Sequence, residues 1–244
     1  MPAEKTEISL QTLVYQGNSM ARTKTESRVP SEKPFSPNDS TQFGKPGMFT
    51  PEGRLLQVEW ARKCPSGGYL AVAMKTSDGL LLAKGKESDR NRLEEGFPLF
   101  WHLGQALAFV ATGNKGDMFF VHDTLLSEGV NTFRDASRRI RGILHEHAVS
   151  TIKRPLSLFI LLGGFDNEVQ EIAKMDVLGS ETQCDASAIG YEDTKARRLL
   201  SRYWKPTLNQ KSGLQLIKKI YRSSVFETCF LSKTNSKQSI SLAR

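Results

Sequence analysis

Phe49-Thr50-Pro51-Glu52-Gly53-Arg54-Leu55-Leu56-Gln57-Val58-Glu59-Trp60-Ala61 is the stretch on which the reading of this chain turns. Thr50 suits a helix N-cap, Pro51 suits the first helical position, where a missing N–H costs nothing, and Glu52 suits the positive end of the helix dipole. The spacing predicts a helix that starts at Thr50, sets Leu55 and Val58 on one face and keeps Arg54 and Gln57 at its edge. Beyond it, Tyr69–Met74 and Leu80–Ala83 are short apolar runs separated by Lys75, Thr76, Ser77, Asp78 and Gly79. That pattern is a hairpin of two buried strands, with Gly79 expected to supply a positive φ in the turn.

Further along, Ala106–Ala111 reads as a third strand, and Met118, Val121, His122 and Leu125 recur at helical spacing. A second helix is expected over Asp135–Ser150 with Ile140, Ile143, Leu144 and Ala148 inward. Leu156–Leu162, Val169–Met175 and Gln183–Ile189 read as strands, followed by helices over Glu192–Trp204 and Lys211–Tyr221. Strands, two helices, strands and two helices in that order favour an α+β layered fold over a parallel βαβ sheet, because each helix pair must cover a whole sheet face.

The chain has 244 residues, 39% hydrophobic and 25% charged, which suits one soluble domain or two small ones. No window approaches the roughly 18 uncharged apolar residues of a membrane span, and Met1–Val14 lacks the apolar core of a secretory signal, so an intracellular chain is expected. Cys64, Cys184 and Cys229 show no Cys-x-x-Cys spacing, which disfavours a disulfide framework and a cysteine zinc site. Residues 195–244 hold twelve basic residues against the single acid Glu227, so the net charge of +8 gathers in the last fifth of the chain. Three parts are expected: a disordered polar tail over 1–47, a folded domain over 48–221, and a basic polar tail over 222–244.

The stretch Phe49–Ala61 resembles the signature of proteasome alpha-type subunits, Phe-Ser-Pro-Glu-Gly-Arg-Leu-x-Gln-Val-Glu-Tyr-Ala, with Thr50 for the serine and Trp60 for the tyrosine. The resemblance continues at lower density through Asp78-Gly79, Val110–Gly113, Arg154-Pro155 with Leu156–Asp166, Asp176–Gly179 and Ala188-Ile189-Gly190. It implies the four-layer αββα sandwich of N-terminal-nucleophile hydrolases, short of its two last core strands, since only Arg222–Arg244 remain and only Val225–Leu231 suit a strand. It also implies a subunit-contact surface made of Phe49, Thr50, Pro51, Gly53, Arg54, Gln57, Glu59 and Trp60. The implied partners are sister alpha subunits in a hetero-heptameric ring, the beta subunits below it and a regulatory particle above it. The implied work is ring assembly and substrate-entry gating in ubiquitin-dependent protein degradation, in cytoplasm and nucleus, with no cofactor, no metal and no membrane.

In the related beta-type subunits a processed N-terminal threonine attacks the peptide carbonyl, helped by an aspartate and a lysine. Aligned through the first hairpin, the resemblance sets Tyr69 at the nucleophile, Gly85 at the aspartate and Leu99 near the lysine, so it implies a wall subunit and not an enzyme. Gln42 and Phe43 stand where alpha subunits carry a Tyr-Asp pair for gate-closing contacts, and Leu99 stands where many carry a lysine that receives an activator's C-terminal carboxylate. The alternative is an Ntn-like or KH-like module that uses the basic C-terminal region on nucleic acid, since Gly113-Asn114-Lys115-Gly116 matches a Gly-x-x-Gly backbone clamp. A strand-to-helix turn explains those four residues equally well. His145 and His147 fall on different sides of a helix and cannot share a metal. Arg138, Arg139 and Arg141 read as a solvated helix face, and Trp60, Trp101 and Trp204 as packing residues.

Overall fold

The computed structural model describes residues 14–15, 49, 53–86, 97–104, 106–222, 224–232 and 240–241. In chain order these form β1 (Val14–Tyr15), α1 (Leu56–Gly67), β2 (Ala71–Lys75), β3 (Gly79–Gly85), β4 (Trp101–Gly104), β5 (Leu107–Gly113), α2 (Lys115–Ser127) and α3 (Phe133–Val149). There follow β6 (Leu158–Asp166), β7 (Val169–Met175), β8 (Glu181–Gln183), β9 (Ala186–Ile189), α4 (Asp193–Tyr203), α5 (Gln210–Tyr221), β10 (Phe226–Ser232) and β11 (Ile240–Ser241). One sheet runs β1-β10-β3-β2-β9, with β11 also on β10, and the other runs β4-β5-β6-β7-β8. Every pairing is antiparallel.

The two-residue period of a strand decides the layers. Ala71, Ala73, Leu80 and Leu82 of the first sheet meet Ala108, Val110, Leu161 and Ile172 of the second, and all are buried. Their opposite faces carry different loads. Val72, Met74, Leu81 and Ala83 pack under Leu200 of α4 and Ile217 of α5. Phe109, Ile160 and Leu162 pack under Val121 and Leu125 of α2 and Ile140 and Leu144 of α3. Strands buried on both faces are apolar at nearly every position, which is why the sequence shows runs there and little alternation. The α+β four-layer αββα sandwich implied by the sequence is the architecture observed.

Local chemistry sets the boundaries. Asn114 accepts from the Asp117 amide at 3.2 Å and starts α2, and Thr132 accepts from the Asp135 amide at 3.1 Å, which starts α3 at Phe133, ahead of the expected Asp135. The expected strand over Gln183–Ile189 is two strands: β8 pairs with β7 in one sheet and β9 with β2 in the other. A periodicity argument sees one stretch of alternating polarity and cannot see the chain cross between sheets. The edge strand β4 went unread, being four residues with His102 at its centre. The tail expected over 222–244 contains β10, which pairs with β3 along its whole length and buries Phe226, Cys229, Phe230 and Leu231. The expected tail over 1–47 lies outside the described residues apart from Val14–Tyr15.

The first hairpin also differs in its reason for glycine. Gly79 is not left-handed; Thr76 closes the turn instead, its amide and hydroxyl both donating to the Gly79 carbonyl at 2.8 and 2.7 Å. What Gly79 provides is room, since a Cβ there would stand 2.2 Å from the Leu231 carbonyl oxygen and 2.7 Å from the Phe230 ring. Gly142 on α3 is exposed and meets nothing within 4 Å. The same substitution at the two sites is therefore expected to have opposite signs. Gly79→Ala should destabilise by about 2 kcal/mol through forced strand displacement, and Gly142→Ala should stabilise by about 0.5–1 kcal/mol by restricting the unfolded chain. Urea denaturation midpoints at unchanged slope measure both.

Candidate subunit-contact helix and the adjoining cleft

Helix α1 begins at Leu56, six residues later than Thr50. The physical cause is Gly53, whose φ of +76° is left-handed, so that the chain turns and Phe49 and Leu55 meet as an antiparallel bridge before the helix can start. Thr50 and Pro51 lie outside the described residues, and the helix cap falls to Leu55, which makes no side-chain cap bond. The turn leaves Phe49 66% exposed, and Trp60 is 44% exposed with Lys63 4.4 Å from its ring centre. Gly53 and Arg54 are exposed, and Gln57 and Glu59 half-buried. Arg54 and Arg62 flank Glu59 at 3.6 Å each, and Arg62 reaches on to Asp176 at 3.1 Å. Such surface pairs contribute tenths of a kcal/mol and serve to orient the helix more than to stabilise it.

The opposite face of α1 is anchored. Val58, Ala61 and Pro65 are buried, with Val58 and Ala61 packed on Ala148 of α3 and on Val177. Pro65 stands inside the helix, where it has no N–H to give the carbonyl of Ala61. The Ser157 hydroxyl donates to that carbonyl instead, at 2.6 Å, and the Thr112 hydroxyl donates to the carbonyl of Pro65 at 3.3 Å. Two hydroxyls at the ends of β5 and β6 thus hang the helix on the second sheet. Ser157 is held in turn, its amide donating to Asp117 at 2.8 Å and its carbonyl accepting from the Asn114 amide at 3.0 Å. Asp117 is 3% exposed and takes both terminal nitrogens of Arg154, a bond that lifts the Arg154 guanidinium above its usual range. Sequence reasoning missed Arg62, Pro65, Ser157 and Asp176 as members of this surface. Pro65, four residues past Ala61, was the available signal, since a proline inside a helix orphans a carbonyl that some other group must satisfy.

Past α1 the chain runs through Gly68 into Tyr69, which is 51% exposed. A cavity of about 870 Å³ opens there, lined among others by Tyr69, Gly85, Lys86, Tyr191, Lys195 and Arg222. The positions assigned to the nucleophile and the aspartate therefore share one cleft. Leu99 does not join them and packs against the core between the sheets. Lys195 is bonded to Glu192 and Lys86 to Glu227. Behind the cleft the Tyr221 hydroxyl donates to the Leu70 carbonyl at 2.8 Å, and burial pushes its pKa well up.

The other singled-out residues are local. Asn114 of the Gly-x-x-Gly stretch spends its side chain capping α2. His147 lies against the Arg154 carbonyl at 3.1 Å and the Phe120 ring, while His145 is exposed. Arg139 forms a two-pronged pair with Glu128, and Arg141 pairs with Glu181. Trp101 is buried on Phe109, and Trp204 donates to the Lys75 carbonyl at 2.9 Å.

An αββα sandwich of two antiparallel sheets with a leading helix docked on it defines the class to which the molecule belongs. The profile of the proteasome subunit family matches residues 66–236, and this chain belongs to that family. Similar proteins are of the alpha type. Proteasome subunit alpha type-5 of Caenorhabditis elegans is 25% identical over 182 residues, covering 69% of this chain and 73% of its own. Proteasome subunit alpha 2 of Haloferax volcanii is 26% identical over 193 residues, 73% of this chain and 76% of its own. Proteasome subunit alpha of Methanococcus vannielii is 27% identical over 183 residues, 69% of each.

The anchoring of α1 is testable by a double-mutant cycle. Ser157→Ala strands the Ala61 carbonyl and is expected to cost about 1–2 kcal/mol. In a Pro65→Ala background the new backbone N–H takes that carbonyl, and the same serine substitution should cost less than half as much, a coupling read from urea denaturation of the four proteins.

Proposed function

We propose that this chain is a non-catalytic alpha-ring subunit of a 20S proteasome core that helps assemble the ring and line its substrate entry, in the cytoplasm and nucleus. The observation that carries the reading is the two-faced α1: one side is fixed to its own sandwich by Val58, Ala61 and Ser157, and the other offers Trp60, beside Phe49 and Arg54 of the turn that leads into the helix, to a neighbour. Large exposed apolar residues so close together suit an interface. Phe119, Phe120 and Leu126 on α2 present a second apolar surface, suited to a subunit of the adjoining ring. Tyr69, Gly85 and Leu99 support a wall role, because none of the three is the threonine, aspartate or lysine that the beta-type mechanism uses. The nucleic-acid alternative loses its ground, since the Gly-x-x-Gly stretch is a helix cap and the supposed basic tail contains a core strand.

The test is assembly of the tagged full-length chain. Native mass spectrometry is expected to find it in a particle with beta-type subunits, with an N-terminus intact at Met1 or Pro2; a small free species with salt-dependent RNA affinity, or a new N-terminus at Ser66 or Tyr69, would refute the reading. Trp60→Ala should leave the stability of the isolated chain within about 0.5 kcal/mol and lower its incorporation about tenfold.

A further inference from the structure

Lys84 is the one buried lysine among the described residues, 5% exposed on β3. Alternation along the strand turns it to the same side as Leu80 and Leu82, towards the space between the sheets. Its neighbours in register are Ala71 on β2 and Glu227 on β10, but the Glu227 carboxylate is engaged by Lys86. The Lys84 ammonium instead stands 5.9 Å from the centre of the Phe97 ring, and Lys115, the first residue of α2, places its own ammonium 5.0 Å from the same ring. Among the described residues no carboxylate lies within ion-pair distance of either lysine.

Buried charges in folded proteins are paired, and the attraction of one aromatic face does not replace a counter-ion. Burial, then the Lys115 charge, pushes the Lys84 amine down to about 8 from 10.5. The amine is nevertheless within reach of solvent. The sealed, unpartnered side-chain atoms among the described residues are Trp101 Nε1 and His102 Nδ1, and Lys84 Nζ is not one of them. Two ammoniums stand around one ring, one deep and one at the surface, with no carboxylate paired to either among the described residues.

We propose that Lys84 and Lys115 form a binding site for a small oxyanion, of which inorganic phosphate is the simplest, and that its binding fastens Phe97 and the start of α2 to β3. Neither the signature helix nor the cleft at Tyr69 takes part, so the site stands or falls apart from the ring assignment.

The test uses the full-length chain in phosphate and in chloride at equal ionic strength. Lysine acetylation by an N-hydroxysuccinimide ester is followed residue by residue by mass spectrometry. Phosphate at several times its Kd is expected to slow acetylation of Lys84 about fivefold, leaving the exposed Lys153 and Lys205 unchanged. Lys115→Gln, at an exposed position, should abolish the protection. With the folded amine depressed, the unfolded chain binds more protons between pH 8 and 10.5, so stability in chloride rises with pH across that window, and phosphate should flatten the rise. Lys84→Met should raise the urea midpoint in chloride at pH 7 and lose the response to phosphate. Equal Lys84 rates in both buffers overturn the proposal, as does equal protection of every lysine, which marks an adventitious ion only.

Discussion

The carbonyl of Ala61 is the point on which the exposed surface depends. A proline four residues on denies it the bond that a helix supplies, and a buried carbonyl left unpaired costs about 1–3 kcal/mol. Ser157 settles that cost at 2.6 Å, and in doing so fixes the rotation of α1 about its own axis. Once Ala61 faces the end of β6, helical geometry turns Trp60 outward. The anchor is itself over-determined: Arg154 holds Asp117, Asp117 holds the Ser157 amide, and Asn114 both caps α2 and binds the Ser157 carbonyl. A network in which each member is satisfied is stiff, and stiffness is what a surface offered to a neighbour needs.

The same segment explains why docking and amine chemistry compete. An N-terminal nucleophile requires a free amine at the head of the first hairpin. Here that place is a continuous peptide, with the Gly68 amide donating to the Pro65 carbonyl at 3.3 Å and the Gly68 carbonyl accepting from the Tyr191 amide at 2.7 Å. Cutting the chain before Tyr69 would release α1 from the covalent tether and turn the Gly68 carbonyl that Tyr191 holds into a free carboxylate. On the proposed reading, a subunit keeps the leading helix or frees an amine, and this sequence keeps the helix.

Much of the architecture was legible because its strands are buried on both faces and its helices on one. Val169–Met175 was read to the residue, and α2 to α4 were located by the spacing of Met118, Val121, Ile140, Leu144, Ala196 and Leu200. The failures share a cause, which is dependence on distant residues. Gly79 looked like a turn glycine, whereas its reason for being small is Leu231, far along the chain. The crossing between β8 and β9 occurs at Cys184-Asp185 with no break in polarity. In the proposed contact surface, the exposed half was carried by a resemblance to a known signature; the anchoring half, Ser157 and Asp176, lies far away in sequence and carries no local mark. Asp176 does sit in a recognisable turn, its Oδ1 accepting from the Leu178 and Ser180 amides at 3.0 Å while Oδ2 catches Arg62.

The far edge of the first sheet shows a comparable economy. Away from β3, the flank of β10 would by itself present a row of unpaired backbone groups that invites wrong pairing. In this chain two brief pairings fall on that flank: Val14 and Tyr15 opposite Glu227 and Phe226, and Ile240 and Ser241 opposite Leu231 and Phe230. Both are antiparallel to β10 and follow one another along its edge, with Thr228 and Cys229 between. Continuing either one past its two residues in register would carry it into the position of the other, so the two ends of the sequence share the edge only as long as each stays short. That constraint ties segments that composition alone assigns to opposite tails into the same sheet, and it makes Phe226–Ser232 a central strand instead of the margin of the fold.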